Sequence, residues 1–376
     1  MTERRLQFGI VGAATLSAGL SFYLFGAALP LYLRANLGYS LSAVGVMVGL
    51  GSVVQVVAAL AAGPLLDRRG ARLGLRLGAG CYLVSALLFL SSTWLPAIIT
   101  ARVLQGIGIA LILPAVLSVV PGLVATNLRG TALGIVGAFN NVALAAGPPL
   151  GLLLLRWTPG ALFVAAFLIG AVALLLTWSL RVGLRAVEPG GLLHYRVSWT
   201  PLYAITFLCV VYWGVVTAFL PIEVPSHQVP NVGWFFTADA LAVMATRIPT
   251  GYLADRFGPR WLLIVGALLT AVAIVLLLLP SSFFTLVLAG IGTGVSAALM
   301  FPPILLELTK RSEDRDRGTA MALYNTSFAA AVGAGSLGAA FVVPRFGFET
   351  SLVISILFTL AAAPLALATI RTRENL

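Results

Sequence analysis

The sequence predicts an all-α membrane protein of twelve transmembrane helices, arranged as two pseudo-two-fold-related six-helix bundles. Three observations predict it. Sixty per cent of the residues are apolar, with a mean hydropathy of +1.04 and only 9% charged. Uncharged runs of 18 or more residues follow one another along the chain, each long enough for an apolar helix to cross a bilayer. One charged motif is written twice, 188 positions apart, half of the 376 residues.

In chain order, residues 6–33, 35–66, 77–101, 103–128, 130–155 and 157–180 carry no Asp, Glu, Lys or Arg and define six spans. A polar connection, "VGLRAVEPGGLLHYRVSW" at 182–199, follows, with a Pro-Gly-Gly breaker in it. The seventh span is 197–222, and the eighth lies within 224–254, which holds only Asp239 and Arg247. Residues 261–306 are uncharged but "LLPSSFFT" divides them into the ninth and tenth, and 318–344 and 350–370 supply the last two. The expected organisation is therefore a first bundle at 1–181, a linker at 182–199 and a second bundle at 200–376.

The net charge of +11 is a topology signal and not a nucleic-acid footprint. With the N-terminus inside, 18 of the 23 Lys and Arg residues fall on one side of the membrane, as the positive-inside rule requires. Both termini are expected in the cytoplasm of an inner membrane, the lipid bilayer being the one large partner. The first apolar stretch is longer than a signal-peptide core and ends in no small-residue cleavage pattern. Cys81 and Cys209 sit in spans of different halves and read as packing residues, with no metal or disulfide spacing. No phosphate-binding loop, nucleophile elbow or HExxH pattern occurs, so neither cofactor, metal nor catalytic residue is expected.

Residues 63–79 and 251–267 are identical at nine of 17 positions, and "RGTA" recurs at 129–132 and 317–320 with the same offset. Six spans per half put both copies in one orientation, a parallel repeat. Two six-helix halves with G-x-x-x-D-R-x-G-x-R after the second and the eighth span resemble the major facilitator superfamily over the whole chain. Two further motifs are similar to that family's: "RVLQGIGIA" at 102–110, and "GPPLG" at 147–151, like the G-P-x-x-G of antiporters, followed here by Leu152 where the fuller pattern has glycine. The resemblance implies a secondary transporter working by alternating access on a small-molecule substrate, with protons as the coupling ion. One chain supplies both halves, so a monomer is expected.

The repeated motif places Asp67 and Asp255 at the inner membrane edge, and the spans beginning near Arg129 and Arg317 present helix N-termini there. A carboxylate at a helix start is stabilised by about 0.3–1 kcal/mol, because it faces free N–H groups. In the family arrangement, Asp67 meets the start of the eleventh span and Asp255 that of the fifth. Gly63, Asp67, Arg68, Gly70 and Arg72, with Gly251, Asp255, Arg256, Gly258 and Arg260, then form a conformational latch that Arg247 joins. The plainer reading is a tight turn with basic anchors. Gly147, Pro148 and Gly151 read as a flexible seam between halves or as ordinary glycine packing.

Ionisable groups inside a span are costly and are functional candidates by default. Asp239 is the one acid well inside a span, and Arg102 lies near the outer end of the fourth, with Gln105 a turn deeper; both are candidates for proton coupling. Their plainer readings are an interface-level acid and an arginine reaching back to the membrane surface. The resembled fold lines its cavity with the first, fourth, seventh and tenth spans. Gln105, Tyr23, Asn140, Asn141, Tyr212, Trp213, Tyr324 and Asn325 supply amides and aromatic faces suited to an amphipathic solute. The leading expectation is proton-coupled export of small amphipathic molecules. A proton-coupled importer of a sugar or organic acid and a lipid flippase of the same fold stay open beside it, with an intramembrane enzyme or a receptor far behind.

Overall fold

The computed structural model describes residues 2–91, 93–125, 128–181, 195–224, 229, 231–313 and 316–369, and these are helical almost throughout. The first half contains α1 (Thr2–Leu31), extended by a π-helical turn at Tyr32–Asn36, then α2 (Leu41–Arg69), α3 (Ala71–Ser91), α4 (Leu95–Leu123), α5 (Arg129–Trp157) and α6 (Pro159–Trp178). The second contains α7 (Thr200–Glu223), α8 (Gly233–Phe257), α9 (Pro259–Leu278), α10 (Phe283–Lys310) and α11 (Arg317–Thr369). Gly347, at φ 85° and ψ 164°, breaks α11 into two legs, so the described residues supply the six helical legs per half that the uncharged runs predict. Among the described residues ten stretches are apolar and long enough to cross a membrane, one of them the 51-residue Thr319–Thr369. The chain is a multi-pass membrane protein. α8 is not among the ten. It carries Asp239, Arg247, Asp255 and Arg256.

Chain turns follow from local chemistry. Thr158 caps α6 by accepting from the Ala161 N–H at 3.0 Å, with Pro159 preset at the first helical position. Ser282 and Thr285 form a reciprocal capping box at the start of α10. The repeated motif turns at Gly70 and at Gly258, with φ of 82° and 78°. Gly258 has ψ of 161°, a region essentially closed to side chains, so its backbone dictates the glycine.

The chain divides into two compact units, residues 1–37 with 50–189 and residues 38–49 with 190–376. Within the first, α1 packs on α5 and α6, and α3 on α4 and α6; within the second, α7 packs on α11, α8 on α10, and α9 on α10 and α11. The outer segment of α2 belongs with the second unit: Gly45 faces Ala340 and Phe219, and Gly49 faces Leu337 and Ser336.

Helix contacts inside the two halves repeat at the sequence offset of 188. Gly78 of α3 faces Ile112 and the Gly108 carbonyl of α4; Gly266 of α9 faces Met300 and the Ser296 carbonyl of α10. Gly147 of α5 lies on the backbone of Tyr23, and Gly335 of α11 on that of Val211. Gly106 of α4 approaches the Gly51 carbonyl and Val54; Gly294 of α10 approaches the Asp239 carbonyl and Ala242. Every one of these pairs keeps the same register.

At the charged end of the second unit, Arg196 donates to Asp316 at 3.0 Å and lies 2.6 Å from Glu313. These two carboxylates hold its guanidinium above the usual arginine value. Trp199 donates its indole N–H to the Arg311 carbonyl, and Arg311 bonds the carbonyls of Ser198 and Thr369. The start of α7 is thereby tied to the α10–α11 connection. Glu307 and Lys310 form an ion pair, at 3.2 Å.

Candidate functional site

Two crevices, one in each half, hold the intramembrane charges. In the first, α4 crosses α2 where a Cβ on Gly106 would lie 2.5 Å from the Gly51 carbonyl oxygen. That approach is open only to glycine, and small residues are what bring membrane helices together. Gly51 also leaves the room that the Arg102 guanidinium fills, since a Cβ there would come 2.6 Å from Nη2. Arg102 is 8% exposed within the protein. Its Nη1 donates to Gln105 Oε1, a buried partner one turn along α4.

In the second half, α8 and α10 make the register-equivalent contact and hold Asp239. The residue is 5% exposed within the protein. Thr293 of α10 donates to Asp239 Oδ1 at 2.7 Å. Tyr212 of α7 faces the carboxyl and lies beside Thr293. Among the described residues Asp239 has no ion-pair partner. A buried charge without one costs several kcal/mol, so the hydroxyl contact is what offsets its burial.

The equivalences are residue by residue. Arg102 corresponds to Gly290, Gln105 to Thr293, and Gly51 to Asp239. Each half thus fills the crevice once, from opposite helices and with opposite charge. The partner's chemistry follows the charge. An arginine only donates, and Gln105 supplies an acceptor; a carboxylate only accepts, and Thr293 supplies a donor. The sequence expectation had Arg102, Gln105 and Asp239 but not Thr293, Gly51 or Gly290. The signal for them was "RVLQG" set over "GIGTG" at the offset already in hand.

The other predicted residues separate into groups. Tyr23 shares a side-chain hydrogen bond with Asn140 between α1 and α5, and Asn141 beside it is half-buried. Trp213 stands in an aromatic group with Phe235 and Phe236 at 6.3 and 5.7 Å. Tyr324 is buried, in the apolar core with Trp199, Leu202 and Ile205. Asn325 donates to the Met321 carbonyl in its own helix. Gly147 and Gly151 pack α5 against α1 of the same half, on the backbones of Tyr23 and Leu24, as the ordinary glycine-packing reading has it. Pro148, between them, is buried close to Gly26.

Of the latch, Gly70 and Gly258 make the turns described, and Arg68 is exposed. Arg72 and Arg260 are half-buried, the Arg260 Nε having no hydrogen bond among the described residues. Arg247 is exposed, unlike Asp239 on the same helix. A Cβ on Gly63 would meet nothing within 4 Å among the described residues. The side chains of Asp67, Asp255 and Arg256 and the surroundings of Gly251 lie outside the described residues, and the latch contacts with them. A separate cavity of about 580 Å³ in the second half is lined by Glu223, Glu349 and the helix ends near Pro280, and does not include Asp239.

Apolar helical legs repeated in two halves, each burying one charge with a dedicated partner, define a multi-pass membrane carrier. The chain belongs to the Major Facilitator Superfamily, whose family model matches residues 11–227 and 202–375, and it is a secondary transporter. It is 26% identical over 355 residues to an uncharacterised MFS-type transporter of Salmonella typhimurium, covering 89% of this chain and 87% of that one. To multidrug resistance protein 1 of Bacillus subtilis it is 28% identical over 287 residues, 72% of each chain. The fold is that of a peptide transporter solved with sulfate, at TM-score 0.82 and 14% identity over 96% of this chain and 93% of that one. A D-xylose-proton symporter matches at TM-score 0.76 and 16% identity, over 97% of both chains.

Proposed function

We propose that this transporter exports small amphipathic molecules in exchange for protons across a prokaryotic inner membrane, with both termini in the cytoplasm. The observation that carries proton coupling is Asp239, a buried carboxyl held by one hydroxyl donor and without a counter-ion among the described residues. Such a group is stable when neutral and costly when charged, so its proton is the natural quantity to exchange with the substrate. Arg102, buried with its acceptor Gln105, is the fixed positive group of the first half and the complementary member of the coupling pair. Tyr23, Asn140, Asn141, Gln105, Tyr212 and Trp213 offer aromatic faces and a few amides to the solute, a lining for amphipathic molecules. The likeness to multidrug resistance protein 1, with the G-P-P-L-G sequence of α5, supports export over import.

Everted vesicles under an imposed proton gradient test this reading. The native protein is expected to accumulate a lipophilic cationic dye, and Asp239→Asn and Arg102→Ala to abolish accumulation at unchanged expression. No gradient-driven dye movement by the native protein, together with proton-driven uptake of a sugar or organic acid in the inward direction, would replace export by import.

A further inference from the structure

Thr293 has one hydroxyl proton and two acceptors within reach. Its Oγ1 lies 2.7 Å from Asp239 Oδ1 on α8 and 2.9 Å from the Gly290 carbonyl of its own helix. A hydroxyl donates once and accepts twice. The two bonds are therefore alternatives, and the charge of Asp239 decides between them. We propose that Thr293 is a positioning residue for the coupling acid, a hydroxyl switch that reports the protonation state of Asp239 to α10 and α7. The inference rests on the reading of Asp239 as the coupling acid.

With Asp239 charged, Thr293 donates to Oδ1 and joins α10 to α8, and the neighbouring Tyr212 of α7 can turn its hydroxyl toward a free Thr293 lone pair. When a proton binds Asp239, the new carboxyl O–H donates to Thr293 Oγ1. The Thr293 hydroxyl then rotates and donates to the Gly290 carbonyl. One proton is gained, on the carboxyl, and the Thr293 hydroxyl keeps a donor bond in both states. Keeping that bond lowers the penalty for a buried carboxyl that cycles between its two forms. Thr293 is fully buried, so water does not substitute for it.

The groups facing Asp239 are few. From α7 come Tyr212 and, one turn earlier, Cys209; Tyr203 and Glu223 lie nearer the two ends of that helix. The ionisable residues of α10 are Glu307 and Lys310 in its last turns, and α9 has only Arg260, at its start. On α8 itself, Arg247 is two turns on and exposed. Among the described residues no other charged group acts on the Asp239 carboxyl.

The backbone explains why the switch is fixed in place. Gly294, next to Thr293, lies against the Asp239 carbonyl, and Gly290 lies against the Phe235 carbonyl. Two glycines one turn apart lock α10 to α8 on both sides of the hydroxyl, so its rotation is the movement available to it. In the first half, Gln105 occupies the same register as an acceptor for a permanently charged arginine. The switch is thus a property of the second half alone.

The test reads Asp239 directly and does not depend on any substrate. In purified protein in liposomes, the carboxyl C=O stretch that disappears in Asp239→Asn is titrated by infrared difference spectroscopy. Thr293→Val removes the donor at nearly constant volume and is expected to move the titration midpoint to higher pH by about one unit, the worth of one hydrogen bond to a charged group. Thr293→Ser is expected to restore the native midpoint, and Tyr212→Phe to move it the same way by less. An unmoved midpoint in Thr293→Val would overturn the switch, and so would a shift that Thr293→Ser does not reverse. Tyr212→Phe carries the test alone if Thr293→Val does not fold. The fate of the coupling reading is separate: dye accumulation that survives in Asp239→Asn removes Asp239 from the coupling path whatever the titration shows.

Discussion

The α2–α4 crevice of the first half and the α8–α10 crevice of the second share one backbone and differ in every polar side chain. Gly106 and Gly294 approach the carbonyls at 51 and 239, and Val54 and Ala242 flank them, at one constant offset. On that common frame one half places Arg102 over Gly51, and the other places Asp239 against Thr293 with Gly290 where an arginine would be. Backbone approach is the constrained feature, because helices in a bilayer are held by close packing and have no hydrophobic drive toward each other. The occupant is free to diverge provided that its partner has the complementary hydrogen-bonding capacity. A repeat therefore preserves a place, and the chemistry placed there is chosen separately in each half.

The comparison breaks most visibly at the shared glycines. Gly106→Leu and Gly294→Leu are each expected to cost more than about 3 kcal/mol, because the added atoms overlap a backbone carbonyl that cannot give way. Size-exclusion profiles in detergent should show folded protein lost to a similar degree in both; tolerance in one half only would mean that the crevices are not equivalent. A smaller effect is expected at the repeated turns. Gly70→Ala and Gly258→Ala force a side chain into a positive-φ backbone, at about 1–3 kcal/mol each, read as a lowered melting temperature. Equal shifts in the two variants support one turn geometry in both motif copies.

The smallest effect sharpens the contrast. Next to the crevices, Tyr82 lays its ring on Gly108, whereas the equivalent Thr270 and Ser296 pair their hydroxyls. Thr270→Val should cost only about 1 kcal/mol, since Ser296 keeps its 2.9 Å bond to the Gly266 carbonyl. Gly108→Ser should cost more, because a Cβ there would come 2.5 Å from the Tyr82 ring. Thermal melts that reverse this order would show that the first half accommodates a hydroxyl as readily as the second.

Much of this architecture was legible in the uncharged runs and in the offset of 188, which came from residues that are identical in both copies, such as Asp67 with Asp255. The crevices were only half legible. Arg102 and Asp239 stand out as charges in apolar helices, but their equivalence is hidden, because each is opposite a glycine in the other half and identity matching discards such pairs. Thr293 was invisible for a different reason: a threonine in a membrane helix ordinarily bonds its own backbone, and only the crossing of α8 with α10 gives it a second acceptor. The seam at Gly147 and Gly151 was legible as close packing, but the identity of the neighbour, α1, depends on tertiary structure.

The central claim is that the proton enters transport through the second-half crevice. It is tested most directly in proteoliposomes by comparing two modes of movement of one lipophilic cationic dye in Asp239→Asn: accumulation driven by a proton gradient, and exchange of labelled for unlabelled dye without one. Exchange near the native rate with accumulation reduced at least about tenfold is the predicted result, because binding and alternation survive while coupling is lost. Accumulation equal to native, with exchange unchanged, would contradict the claim and remove Asp239 from the coupling path.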